Sequence, residues 1–230
     1  MNVRDLELVV AADEEEAAER VAAMLAEAAR AGGEIALTGG STPGRAYERA
    51  AELGPDWSGA GVWWGDERCV PPDDERSNFG LAKQTLLDRL SSQPRAVHRI
   101  RGEDDPAAAA ADYDRELRGT TLDLVLLGLG PDGHVASLFP GSSGLDEEAR
   151  LAVPAEAKLE PYVPRVTLTP PPLRAGRTVL FLVSGGAKAE AVARAFAGPP
   201  TPEVPGSLIR SAAGRTVAVV DAAAAARLRD

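Results

Sequence analysis

Residues 122–140 read LDLVLLGLGPDGHVASLFP. The run 122–127 is short, apolar and rich in leucine and valine, which suits a strand buried on both faces, as in a parallel sheet. Glycines come at once after it, and Asp132 and His134 stand just beyond them. Open α/β sheets bind ligands outside the carboxyl ends of their strands, so His134 stands where chemistry is expected. It is one of 2 histidines in 230 residues. Residues 128–133 also spell the GxGxxG pattern. A dinucleotide site needs a long helix after the third glycine and an acid about 20 residues further on. Here Pro140 allows only a short helix from His134, and prolines interrupt the chain beyond it, so no nucleotide is expected.

Working outward, the same strand, turn and helix unit recurs on both sides. Upstream, Ile35, Ala36 and Leu37 form a short apolar run that enters Thr38-Gly39-Gly40-Ser41-Thr42-Pro43-Gly44. Pro43 suits a first helical turn, Thr42 a cap, and the glycines a close backbone approach to an anion at a helix N-terminus. The loop lacks the GKS or GKT ending of a Walker motif. Downstream, the strand at 178–183 leads into Ser184-Gly185-Gly186-Ala187-Lys188 and a helix over about 187–197. A lysine on the first turn opposes the helix dipole, which favours an anion nearby.

Between these units, Val62-Trp63-Trp64 reads as a strand ending in Gly65-Asp66-Glu67-Arg68. Three charges there need solvent, partners or a ligand. Ser77 and Asn78 offer caps for a helix through Leu90, and Asp13 and the acids after it start an amphipathic helix that ends at Gly32-Gly33. A helix covers 105–118. The prolines at 154, 161, 164 and 170–172 favour extended backbone, with a strand at 166–168 entered by Arg165. A last strand at 217–220 and an alanine-rich helix close the chain. Cys69 has no histidine near it in sequence and reads as a small half-buried thiol.

The formal net charge of −10 argues against nucleic acid as partner, while leaving room for a small anion in a locally positive pocket. No apolar run approaches a membrane span, and the N-terminus lacks a secretory pattern, so a cytoplasmic protein with no membrane partner is expected. With 1 cysteine and 2 histidines, no structural metal site is expected. Ser137 lacks the GxSxG elbow of a nucleophile, which leaves water activated by histidine as the simpler chemistry.

Five segments together carry a family resemblance: TGGSTPGRAYE (38–48), WWGDERCVPPDDERSNFGLAKQTLL (63–87), DLVLLGLGPDGHVASLFPGS (123–142), PRVTLTPPPL (164–173) and SGGAKAEAV (184–192). In this order they make the sequence resemble the 6-phosphogluconolactonase family. The resemblance implies an α/β fold of one domain over residues 1–230, an open, mainly parallel sheet with helices on both faces. That fold is Rossmann-like and similar to glucosamine-6-phosphate deaminases. It implies hydrolysis of 6-phospho-D-glucono-1,5-lactone in the pentose phosphate pathway, with no cofactor and no metal. His134 is then the general base, Asp132 orients it, Arg68 or backbone N–H groups meet the oxyanion, and Asp66 positions Arg68 or a sugar hydroxyl. Gly39, Gly40, Ser41, Thr42, Arg165 and Lys188 are expected to bind the small anionic sugar phosphate, and the chain to act as a monomer. The related deaminases carry a glutamate where this sequence has Phe139, which disfavours deamination or isomerisation. A non-catalytic sugar-phosphate sensor is disfavoured by the intact Asp132 and His134. Val135 stands where the lactonases often have threonine.

Overall fold

The computed structural model describes residues 6–228. Its strands are β1 (Leu6–Ala11), β2 (Glu34–Leu37), β3 (Gly61–Trp64), β4 (Asp66–Arg68), β5 (Ala96–Val97), β6 (Leu124–Leu127), β7 (Ala152–Ala155), β8 (Arg165–Leu168), β9 (Thr178–Val183) and β10 (Arg215–Asp221). Its helices are α1 (Glu14–Arg30), α2 (Ser41–Glu52), α3 (Asn78–Thr85), α4 (Pro106–Leu117), α5 (Pro170–Ala175) and α6 (Ala189–Phe196). Seven strands form an all-parallel sheet in the order β1-β10-β9-β6-β2-β3-β5. Every residue of β3 and β6 is buried, as both faces of the sheet are covered. The mainly parallel α/β architecture read from the sequence is therefore present.

Position in the sheet matters most for β6. It lies between β9 and β2, so the glycine turns after β2, β6 and β9 leave adjacent strand ends. Two buried tyrosines pin this edge. Tyr47 of α2 donates to Thr38 O at 2.6 Å and accepts from Thr38 N at 2.9 Å. Tyr113 of α4 does the same for Trp64, at 3.0 and 2.7 Å. Burial pushes both hydroxyls well above the usual tyrosine range, so they remain donors.

Several sequence expectations are corrected. The Gly65-Asp66-Glu67-Arg68 segment is not the end of β3. It opens β4, which pairs antiparallel with β8, and β8 with β7, in a separate three-stranded sheet. Thr42 does not cap α2, because Gly40 is the N-cap and the Thr42 hydroxyl bonds Ser184 Oγ at 2.7 Å instead. That bond ties the first and third glycine turns together. The helix after Ser77 stops at Thr85, and Leu86 breaks it before a short 3₁₀ turn at Leu87–Arg89. Pro170, Pro171 and Pro172 begin α5 rather than preventing a helix, since a first turn needs no N–H donors. No helix follows His134: Val135 and Leu138 form an isolated bridge, with Ala136 at φ 48. Residues 222–228 form turns rather than the expected helix, and its end at Arg229 lies outside the described residues. No helix among the described residues is long and apolar enough to cross a membrane.

Glu67 is neither solvated nor ion-paired. Its carboxylate accepts from the backbone N–H groups of Arg68, Asn78 and Phe79, each at 2.7 Å, and so closes the N-terminus of α3. Replacing Glu67 with alanine leaves these donors without partners and should lower stability by roughly 2–4 kcal/mol. The midpoint of denaturant unfolding measures this, with the slope unchanged.

Candidate active site

The carboxyl ends of β2, β3 and β6 open onto a cleft lined mostly by polar groups. Thr38, Gly39, Asp66, Arg68, Asn78, Gly130, His134, Arg165 and Lys188 all line it. Of the expected binding residues, Gly40, Ser41 and Thr42 stand just outside this lining, at the mouth of α2.

The turn after β6 is built around His134. Asp132 Oδ1 accepts from His134 N at 3.1 Å and lies 2.6 Å from His134 Nδ1. Gly130 N donates to His134 O at 2.9 Å, closing the turn. The glycine at 130 is a spatial requirement, because a Cβ there would lie 2.0 Å from His134 Nδ1. The GxGxxG spelling thus serves the histidine rather than a pyrophosphate. Burial pushes the Asp132 carboxyl up, but the hydrogen bonds and charge of His134 outweigh it and hold Asp132 below the ordinary carboxylate value. As an ionised, acceptor-only group, Asp132 places the proton on Nδ1 and leaves the Nε2 lone pair free. Beneath the imidazole, the Phe139 ring lies 4.5 Å away and fills the space with apolar surface.

Facing this imidazole is a set of cations. Arg68 and Arg165 are direct cross-strand partners between β4 and β8. Like charges opposite one another are unfavourable without a counter-anion. Neither finds an acid among the described residues: Arg68 Nη1 donates to Arg76 O, and Arg165 donates to the Ser137 hydroxyl and to the carbonyls of Leu159 and Pro161. Both Nε atoms are buried without a partner. Burial pushes the Arg165 guanidinium down, Asp66 pulls it back up, and Arg68 adds to the depression. Arg165 also packs over Phe139, with Cζ 5.5 Å from the ring centroid. Lys188 is the last residue of a 3₁₀ turn and the N-cap of α6, rather than part of the helix's first turn. Burial lowers its pKa, with the charge of Asp132 opposing.

Asp66 does not hold Arg68. It accepts from Ser137 Oγ at 2.6 Å and from Asn78 Nδ2 at 3.2 Å. The sequence marks Asn78 only as a helix cap, yet it lines the cleft and its Oδ1 is buried without a partner. The signal available is its place after the charged strand end, since Gly39 has no Cβ where Asn78 Oδ1 lies, at 1.9 Å. Cys69 lies outside the cleft lining, half-buried, with burial pushing its thiol up to about 11, which suits an inert residue. His98 also lies apart, stacked on Trp63 at 3.8 Å and paired with Glu116. Among the described residues, no group of three or more His, Cys, Asp or Glu side chains is placed to hold a metal ion.

The sequence and the fold have counterparts among known proteins. Residues 8–218 match the family described as glucosamine-6-phosphate isomerases/6-phosphogluconolactonase. The chain is 38% identical to a 6-phosphogluconolactonase of Streptomyces coelicolor, over 96% of this chain and 94% of that one. The solved 6-phosphogluconolactonase from Trypanosoma cruzi superposes with a TM-score of 0.86 at 28% identity, covering 100% of this chain and 99% of the other. A monomeric glucosamine-6-phosphate deaminase shares the fold, with a TM-score of 0.83 at 21% identity over 96% of this chain and 99% of that one. With a match that runs through every strand lining the cleft, the chain belongs to the glucosamine-6-phosphate isomerase/6-phosphogluconolactonase family.

Proposed function

We propose that this chain is a carboxylic ester hydrolase that opens 6-phospho-D-glucono-1,5-lactone to 6-phosphogluconate, a step of the oxidative pentose phosphate pathway. The observation that carries the reading is a histidine and aspartate pair facing three cations that have no acidic partner among the described residues. The curated relatives and solved neighbours named 6-phosphogluconolactonase support it.

In this reaction water attacks the lactone carbonyl while His134 Nε2 takes its proton. The carbonyl oxygen becomes an oxyanion, met by Arg68 or a backbone N–H of a glycine turn. The carbon to ring-oxygen bond then breaks, and the proton on Nε2 passes to the departing ring oxygen, restoring the base. Asp132 stays ionised throughout and steadies the transient imidazolium. Arg165 and Lys188, with the Gly39, Gly40, Ser41 and Thr42 turn at the mouth of α2, hold the phosphate, and this remote binding fixes the carbonyl at His134. Phe139 places apolar surface where a deaminase would need its glutamate. On this reading the chain acts in the cytoplasm as a one-domain monomer over residues 1–230, without metal, organic cofactor, nucleic acid or membrane.

The direct test is lactone opening by the purified protein at a rate proportional to enzyme and above the spontaneous reaction. Activity no greater than background would overturn the reading, and ammonia release from glucosamine 6-phosphate would redirect it to the deaminase branch. Lys188→Ala should weaken 6-phosphogluconate binding roughly tenfold or more, as expected for loss of a charge-assisted contact. The pH dependence has a definite sign. Because burial lowers the Lys188 pKa, its ammonium is lost at a pH below the ordinary lysine value. Affinity for 6-phosphogluconate should therefore fall as pH rises toward that value, and Lys188→Arg should remove the fall. Calorimetric titration across alkaline pH measures both.

A further inference from the structure

Ser137 belongs to the same loop as His134, yet it is fully buried and does not line the cleft. Its Oγ donates to Asp66 Oδ2 at 2.6 Å, and its backbone N donates to Thr167 Oγ1 at 3.1 Å. Asp66 and Thr167 are themselves cross-strand partners between β4 and β8. Ser137 therefore grips both members of one rung of the small antiparallel sheet. Arg165 Nη1 approaches the same hydroxyl at 3.5 Å, on the lone-pair side.

Asp66 is a buried carboxylate with no guanidinium or ammonium in hydrogen-bond contact among the described residues. What orients it is neutral: the Ser137 hydroxyl on one oxygen and the Asn78 amide on the other. The Asn78 contact is the longer, at 3.2 Å, and the same Nδ2 also donates to Asp66 O at 2.9 Å. The Ser137 bond is thus the dominant restraint on the carboxylate. Among the described residues it is also the direct side-chain link between the loop that carries His134 and the strand that carries Asp66 and Arg68. The loop needs such a link, because Ala136, between His134 and Ser137, holds φ 48, a left-handed conformation that alanine adopts only when its surroundings impose it.

We propose that Ser137 is a positioning residue for the lactone hydrolysis: through Asp66 it sets the aim of that carboxylate into the cleft and the spacing between the His134 loop and the cationic strand. A nucleophilic role is excluded by its burial and by a hydroxyl proton committed to Asp66. The inference rests on the lactonase reading, and its roles are separable from it. Site geometry misplaced by a fraction of an ångström costs turnover more than it costs affinity, because among the groups proposed to hold the phosphate Arg165 alone touches Ser137, through its longest contact, at 3.5 Å.

The experiment is a double-mutant cycle of Ser137→Ala and Asp66→Asn, read as kcat and KM for the lactone after subtraction of the spontaneous rate. Ser137→Ala should lower kcat about tenfold with KM within about twofold, and should add less than about twofold in the Asp66→Asn background. An equal loss in both backgrounds means that Ser137 does not act through Asp66, and overturns the proposal. A crystal structure of Ser137→Ala gives a readout independent of turnover: Asp66 Oδ2 should turn from its present direction, and an unmoved Asp66 overturns the proposal. Where Ser137→Ala does not fold, Ser137→Cys keeps the size with a weaker donor, and wild-type kcat in that variant is again a refutation. If the wild-type chain itself shows no rate above background, the lactonase reading fails, while the crystallographic arm still decides what Ser137 holds.

Discussion

Replacing His134 with alanine is expected to lower kcat/KM for the lactone by about 10²–10⁴-fold, the usual worth of a positioned general base. The loss should fall almost wholly on kcat, since the groups proposed to hold the phosphate lie elsewhere in the cleft. Binding of 6-phosphogluconate should change little, because the role proposed for His134 is proton transfer rather than charge neutralisation. Full activity in His134→Ala would refute the mechanism even in a chain that is a lactonase. Asp132→Asn provides the companion measurement. The amide can donate as well as accept, so it no longer dictates that Nδ1 carries the proton, and a fraction of His134 should present the wrong tautomer to water.

Gly130→Ala should be nearly as damaging, although the residue has no side chain to contribute. An added Cβ would meet His134 Nδ1 at 2.0 Å, His134 Cε1 at 2.2 Å and Asp132 Oδ1 at 2.7 Å. No small adjustment relieves three such contacts, so the imidazole must leave its seat beside Asp132. A displacement of about 1 Å at a catalytic group can cost about 10² in rate, and a fall of at least that size in kcat is expected. The informative comparison is with stability. Gly130 is not among the positive-φ glycines, so alanine is allowed by the backbone itself. The midpoint of thermal unfolding should therefore move far less than the rate. A wild-type rate in Gly130→Ala would show that the imidazole can work from a different position, against the geometry described.

These two residues also show how unevenly the site is written into the chain. His134 stands out in the sequence because histidines are rare here and this one comes directly after a buried strand. Gly130 appears there only as part of a nucleotide-like spelling. Its reason, the closeness of the imidazole, exists only once the turn has closed. Arg68 and Arg165 are similar. Each is legible singly, as a charge at the end or entrance of a strand, but their facing one another depends on the antiparallel pairing of β4 with β8. The sequence does not announce that pairing, because β4 has only three residues, too short a run to display an alternating pattern beside β8. Asn78 and Ser137 escape a sequence reading for a related reason. A polar side chain beside a helix start or turn has an adequate local explanation, and only burial against Asp66 reveals the longer-range one.

What the sequence determined by itself is the set of local units: short apolar strands, glycine turns and helix starts, each encoded by neighbours a few residues apart. Asp13 caps the helix that its position predicts, with a bond of 2.9 Å from Glu16 N, and Asp105, read as the first residue of a helix, caps α4 with bonds of 3.0 Å from two backbone N–H groups. The tertiary structure decided which units stand together. It set β6 between β2 and β9, joined the outer turns through Thr42 and Ser184, and brought Asp66 under the loop of His134. The physical reason is that strand order and cross-sheet contacts come from burying the whole apolar surface at once, a condition on the entire chain that no short window of sequence contains.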